Sequence, residues 1–230
     1  MRVLIAIIAA VWVGIAGAAE MGAGKMTVTG QGRIDSAPDM ATITLGVTNE
    51  AETAGEAMDK TSAAVAAILE QLAADGMAAR DMQTRDLNLS PLWTDRRTVE
   101  DAQPQIVGFQ ASNTVVIRVR ELDALGGILD RVIDSGANTF NGLSFGLQNP
   151  EPALDEARRT AVAEALRKAK LYAEAAGLVL GPVLELSEGG ASSDPVPMAR
   201  FAMAEAVPIA QGEVTTDAFV TMIFAITSGE

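Results

Sequence analysis

Cysteine and histidine are both missing from the 230 residues. Without a thiol there is no disulfide, no thiolate nucleophile and no thiol peroxidase chemistry. Without an imidazole there is no Ser-His-Asp triad, and most zinc and copper(II) sites lose their usual ligand. Basic residues are also few, 17 against 30 acidic, for a formal net charge of −13. A field of that sign repels phosphate backbones and anionic lipid surfaces, which argues against a nucleic-acid partner. Nor does the apolar opening, residues 3–15, span a bilayer comfortably: it is roughly thirteen residues long, against the ~20 that ~30 Å of hydrocarbon needs. Function is left to carboxylates, hydroxyls, Lys, Arg, Met and the shape of the surface.

The opening has a different layout. Arg2 supplies a positive start, residues 3–15 an apolar core, and Ala16-Gly17-Ala18-Ala19 small residues for a signal peptidase. This reads as a secretory signal peptide over residues 1–19, cleaved after Ala18 or Ala19. No Cys follows the small residues, so lipid attachment at a new terminal cysteine is excluded. Loss of Arg2 moves the net charge from −13 to −14. The expectation is a soluble, exported protein with no integral span, in a bacterial periplasm, with association to the outer membrane left open.

Beyond the leader the periods alternate between two and 3.6. Residues 25–34 set Met26, Val28 and Gly30 against Thr27, Thr29 and Gln31, a half-buried strand, and residues 36–39 (SAPD) read as a turn. A second strand puts Ala41, Ile43, Leu45 and Val47 on its core face. Residues 53–74 form a helix ended by Gly76. A strand over 84–93, a polar hairpin tip over 94–104 and a return strand over 105–120 follow. Next come a helix over 122–134 closed by Gly136, a strand over 139–148, and the longest helix, from Pro152 to about residue 176. Its stripe is Leu154, Ala157, Ala161, Ala165, Ala169 and Tyr172, with Asp155–Arg159 and Glu164–Lys168 as pairs on the wet side. Residues 183–186 and 214–226 complete the strands, and residues 189–212 read as a long loop. Residues 41–91 and 114–150 each run strand, helix, Gly, strand. The expected class is therefore α+β: antiparallel or mixed sheets with helices on one face, a strand–helix–strand duplication, and one long helix in the C-terminal half.

The chemistry-bearing groups are sparse. Gly30-Gln31-Gly32 lacks the third glycine of a nucleotide loop and lies within a strand, so it reads as a bulge or a close backbone approach. Asp39 beside Pro38 reads as a turn carboxylate bonded to nearby amides. Glu50 with Glu52, Glu100 with Asp101, and Asp155 with Glu156 are adjacent acids, whereas a hydrolase needs two held apart in a cleft with separated pKa values. No catalytic residue, cofactor site or metal site is assigned. Trp93 beside the hairpin tip and Met198, Phe201 and Met203 in the long loop lie outside any periodic core, and they are the candidate interaction surface. Two loop methionines are too few for a copper(I) site, though their thioethers can take up oxidant.

Residues 28–34 (VTGQGRI) with Pro38, Asp39 and Ala41, residues 87–91 (LNLSP), 106–109 (IVGF), Ala157-Arg158 with Val162, and residues 168–177 (KAKLYAEAAG) together resemble the SIMPL-domain family, a former domain of unknown function whose bacterial members include periplasmic immunogenic proteins. The likeness covers about residues 24–228, which would form the domain, with two α+β subdomains at about 24–105 and 106–228. It implies an exported α+β protein that forms large ring or channel-like homo-oligomers, with links to oxidative-stress defence in some members, and it carries no catalytic residues across. The reading is a non-enzymatic, self-assembling envelope protein. A binding module for a small ligand or exported partner, and a carboxylate-dependent enzyme, remain as alternatives.

Overall fold

Alternation of apolar and polar residues shapes the two opening strands. In β1 (Gly24–Ser36) Val28, Gly30 and Gly32 are buried while Thr27, Thr29 and Gln31 face water; in β2 (Met40–Ala51) Ala41, Ile43, Leu45 and Val47 are sealed. The computed structural model describes residues 24–94, 104–196 and 209–229, with the backbone alone for 191–196. Helix α1 (Ala54–Ala74) starts where the Thr53 hydroxyl accepts the Glu56 N–H at 3.3 Å. A 3₁₀ turn (Ala79–Asp81) leads into β3 (Met82–Trp93), and β4 (Ile106–Val119) returns beside it. Then come α2 (Leu125–Asp134), preceded by a 3₁₀ turn (Leu122–Ala124), β5 (Thr139–Gly146), α3 (Glu151–Ala175), β6 (Leu178–Val196) and β7 (Glu213–Ser228).

Among the described residues the strands form two antiparallel sheets, ordered β3-β4-β2-β5 and β1-β7-β6. In the first, β2-α1-β3 leaves a gap that β4 fills, and β4-α2-β5 leaves one that β2 fills. That is the split βαβ, ferredoxin-like arrangement. The duplication is visible in its helix ends. Gly76 and Gly136 both take positive φ, and the bonds Met77 N–H to Leu72 O and Ala137 N–H to Val132 O, each 3.0 Å, close matching Schellman caps sixty residues apart. Ile43, Leu45, Val115 and Ile117 from the central strands, Ile68 and Leu72 from α1, and Val132 from α2 fill the core beneath.

The second sheet is built from the two ends of the chain. β1 pairs with β7 from Gly24 opposite Ile226 to Ser36 opposite Val214, so the whole four-stranded unit lies between β1 and α3 in sequence. The crossing points are stitched together. Gln148 N–H donates to the Asp39 carboxylate at 2.6 Å, its side-chain amide donates to the Asp39 carbonyl at 2.8 Å, and Asp39 N–H reaches Gly146 O at 3.1 Å. β3 and β4, on either side of residues 104–105, pair with each other along most of their length.

Three expectations are corrected. The long loop is shorter than residues 189–212, because β6 runs on through Gly189 and Gly190 to Val196 against β7. As an edge strand it tolerates Pro195 and shows no burial period to read. On α3 the buried stripe is Ala157, Ala161, Ala165, Ala169 and Ala173; Tyr172 is 51% exposed, one residue off a strict i, i+4 ridge. Arg159 bonds Glu156 and Arg158 bonds Asp155, so the pairing is i, i+3 where Asp155–Arg159 was expected, while Glu164–Lys168 forms at 3.4 Å.

Candidate functional site

Gly30 and Gly32 set the geometry of the second sheet. A Cβ on Gly30 would lie 2.0 Å from the Ala161 carbonyl oxygen, and one on Gly32 1.9 Å from that of Ala157. The absence of side chains here lets the alanine ridge of α3 settle onto β1 at backbone distance. The β1–β7 register is unbroken there, so the motif is a close approach and no bulge. Sitting over β1 and β7, α3 covers the β6 side of the same face only in part, through Leu180 and the 2.8 Å Arg158–Glu188 ion pair. Val183 and Leu186 stand opposite Phe224 and Met222, which α3 covers, yet both remain exposed, as do Val179 and Leu184. β6 is thus a 19-residue edge with apolar side chains in water, the kind of edge that pairs with other chains.

Trp93 lies at the end of β3, opposite Ile106, with Val107 as the extra residue of a register shift. All three are about half exposed, at 55%, 49% and 59%. Leu87 and Leu89 on the same hairpin are also exposed. Leu87 follows Asp86, whose φ of 50° accompanies a second irregularity opposite Asn113. Of the sequence-derived surface, the structure therefore places Trp93 in an apolar hairpin patch. Met198, Phe201 and Met203 lie outside the described residues. Leu87, Ile106, Val107, Val183, Leu184 and Leu186 were missed as surface residues, since their apolar runs read as buried strand and only strand order reveals an edge.

The adjacent acids that fall among the described residues lie at the surface. Asp155 and Glu156 hold Arg158 and Arg159, and Glu50 accepts from Gln110 at 3.2 Å. Glu100 and Asp101 lie outside the described residues. Hydrogen bonds from Arg167 foremost, and from Lys168, hold the Glu164 carboxyl down at about 2. Among the described residues Asp81 is the one buried carboxylate. Both its oxygens are taken by Arg120, at 2.9 and 2.6 Å, and that hydrogen-bonded pairing holds its pKa below the usual carboxylate range. No three carboxylates among the described residues gather closely enough to hold a metal ion, and none of the described helices is long and apolar enough to cross a membrane.

Two antiparallel sheets, each with helices on a single face and apolar residues displayed on an edge strand and a hairpin, define an α+β protein of the ferredoxin-like type extended by a terminal three-stranded sheet. The sequence matches the SIMPL family, described as a protein of unknown function (DUF541), over residues 26–224, and the chain belongs to that family. It is 37% identical over 213 residues to the 26 kDa periplasmic immunogenic protein of Brucella melitensis, covering 88% of this chain and 84% of that one. It is also 30% identical over 185 residues to the uncharacterized protein YggE of Edwardsiella ictaluri (80% and 76% covered), and 28% over 195 residues to YggE of Escherichia coli K12 (85% and 78%).

Proposed function

We propose that this chain is an exported periplasmic protein without enzymatic activity that assembles with copies of itself through the β6 edge and the β3–β4 hairpin, and that the assembly serves envelope homeostasis and protection against oxidants. The observation that carries the reading is the long uncovered β6 edge with Val179, Val183, Leu184 and Leu186 in water. An edge of that length is costly to leave open unless another strand meets it. The signal-peptide layout of residues 1–19 and the name of the Brucella melitensis relative, a periplasmic immunogenic protein, support export.

Light scattering on the chain from residue 20 onward tests assembly. Several subunits per particle are expected at micromolar concentration, and Leu184→Lys with Leu186→Lys, which places charge on the edge, should yield smaller species. A clean monomer for the parent chain, in both low and physiological salt, overturns the reading. For a direct part in oxidant protection, peptide mapping after peroxide should find Met198 and Met203 oxidised first; uniform or absent oxidation counts against it.

A further inference from the structure

Arginines in this chain usually have acids within reach. Of the nine among the described residues, Arg33, Arg120, Arg131, Arg158, Arg159 and Arg167 hold a carboxylate at 3.0 Å or closer. Arg80 comes no nearer than 3.9 Å to Asp81, and neither Arg85 nor Arg118 forms an ion pair with a described residue. Two of those three meet in one place. A cleft of about 300 Å³ opens between the Schellman turn after α1, the end of β4 and the start of α2, and Arg80, Arg118, Arg120 and Arg131 all line it.

The four are not equivalent. Arg120 is clamped to Asp81 and Gln148, and Arg131 to Asp75 at 2.6 Å, so these pairs form fixed, internally neutral walls. Arg80 and Arg118 have their guanidinium forks left over, against one further acid, Glu121. Four arginines facing Asp75, Asp81 and Glu121 leave one positive charge in excess, inside a chain of net charge −13. Met77, Val119, Ala124 and Ile128 make the remaining lining apolar. Paired donors at the rim over an apolar floor suit a ligand with an anionic head and a short hydrocarbon body.

We propose that this cleft binds a small organic carboxylate, its head group bridging Arg80 and Arg118 and its apolar body lying on Met77 and Ala124, the apolar lining side chains that keep exposed surface. A guanidinium offers a planar fork matched to a carboxylate, which a Lys does not. The acidic surface elsewhere repels the same ligand, so binding is confined to this spot. The proposal does not depend on assembly.

Calorimetry and saturation-transfer NMR test it on the assembled chain from residue 20 onward, with hexanoate, hexyl phosphate and hexanol as probes. Hexanoate should bind saturably and hexanol should not; the phosphate ester, carrying the same tail, shows whether the site prefers a carboxylate. In the Arg80→Gln/Arg118→Gln variant affinity for hexanoate should fall about tenfold or more. Its melting temperature should stay close to the parent's, because neither side chain makes a close bond. Arg159→Gln, on α3, should leave binding unchanged. No saturable binding at tens of millimolar, equal binding of hexanol, or unchanged affinity in the double variant overturns the proposal. A double variant that melts early is replaced by Arg80→Lys/Arg118→Lys, which keeps the charge and must still weaken binding by losing the fork.

Discussion

Replacing Gly32 with Ala adds a single methyl group and should cost as much stability as a core truncation. The new Cβ would sit 1.9 Å from the Ala157 oxygen and 2.7 Å from the Ala161 nitrogen, both helix backbone that no rotamer change can move aside. Restoring ordinary contact requires α3 to lift by roughly 1 Å, and a gap of that size forfeits a quarter to a half of the dispersion well. The seam it would open holds five buried alanine methyls on α3 facing Val28, Val220, Met222 and Phe224. At about 0.8 kcal/mol per methyl and about 2 per facing side chain, the seam contributes about 12 kcal/mol, so losing even a quarter of it costs about 3 kcal/mol. That lies at the upper end of ordinary overpacking.

Gly126 in α2 is the control, since nothing lies within 4 Å of a Cβ placed there. Gly126→Ala should stabilise by about 0.5–1 kcal/mol through helix propensity alone. Urea unfolding followed by far-UV circular dichroism, at one fixed protein concentration because assembly adds to apparent stability, reads both. With a slope of about 2 kcal/mol per molar, Gly32→Ala should lower the midpoint by about 1.5 M. A Gly32→Ala chain within 1 kcal/mol of the parent at unchanged slope would refute the argument that α3 is seated by the missing side chain.

Asp81→Asn should destabilise by about 2 kcal/mol, below the full cost of breaking a buried pair because Arg120 is itself partly exposed. The folded pKa of Asp81 is depressed, so its contribution is complete above the ordinary carboxylate range and is lost as pH falls through the lower, folded value. Glu164 acts in the same sense between 4.5 and about 2. The parent's melting temperature should therefore fall on acidification below about pH 4.5, more steeply than that of Asp81→Asn; parallel curves would rule out the ion pair as the cause. Asn138→Ala removes an amide that accepts from Thr48 N–H at 2.8 Å and donates to its carbonyl at 2.7 Å. A loss of about 1–2 kcal/mol in the same urea assay is expected, and no loss would mean that water replaces both bonds without penalty.

What the sequence discloses follows from which physical demand each segment meets. β1, β2, β4 and the helices must bury one face, so Ile43, Leu45, Val115, Ile117, Ile68 and Leu72 keep their periods and are found in the core. Gly76, Gly136 and Gly177 sit at positive φ, where a helix end favours glycine, and the ends are legible for that reason. β6 answers to neither demand. Its outer edge pairs with no described strand and α3 reaches it chiefly through Leu180 and the Arg158–Glu188 ion pair, so Val183, Leu184 and Leu186 stay exposed, show no alternation, and the strand's length is hidden. The arginine cleft is hidden differently. Arg118 at the end of β4 and Arg120 just beyond it are two apart and share a face, but Arg80 arrives from the 3₁₀ turn after α1 and Arg131 from α2, and only the βαβ crossing brings them together.

The link between the legible and hidden parts is the pair Gly30 and Gly32. Their pattern could be read from the chain as a close backbone approach, but not which element approaches. Once α3 is the element, its contact at backbone distance fixes it over β1, off the centre of the sheet, so it covers β6 less than β1 or β7. The strand farthest from the glycines is then the least covered. The same two residues that bring the long helix close to one edge of the sheet leave the apolar side chains of β6, at the other edge, more exposed.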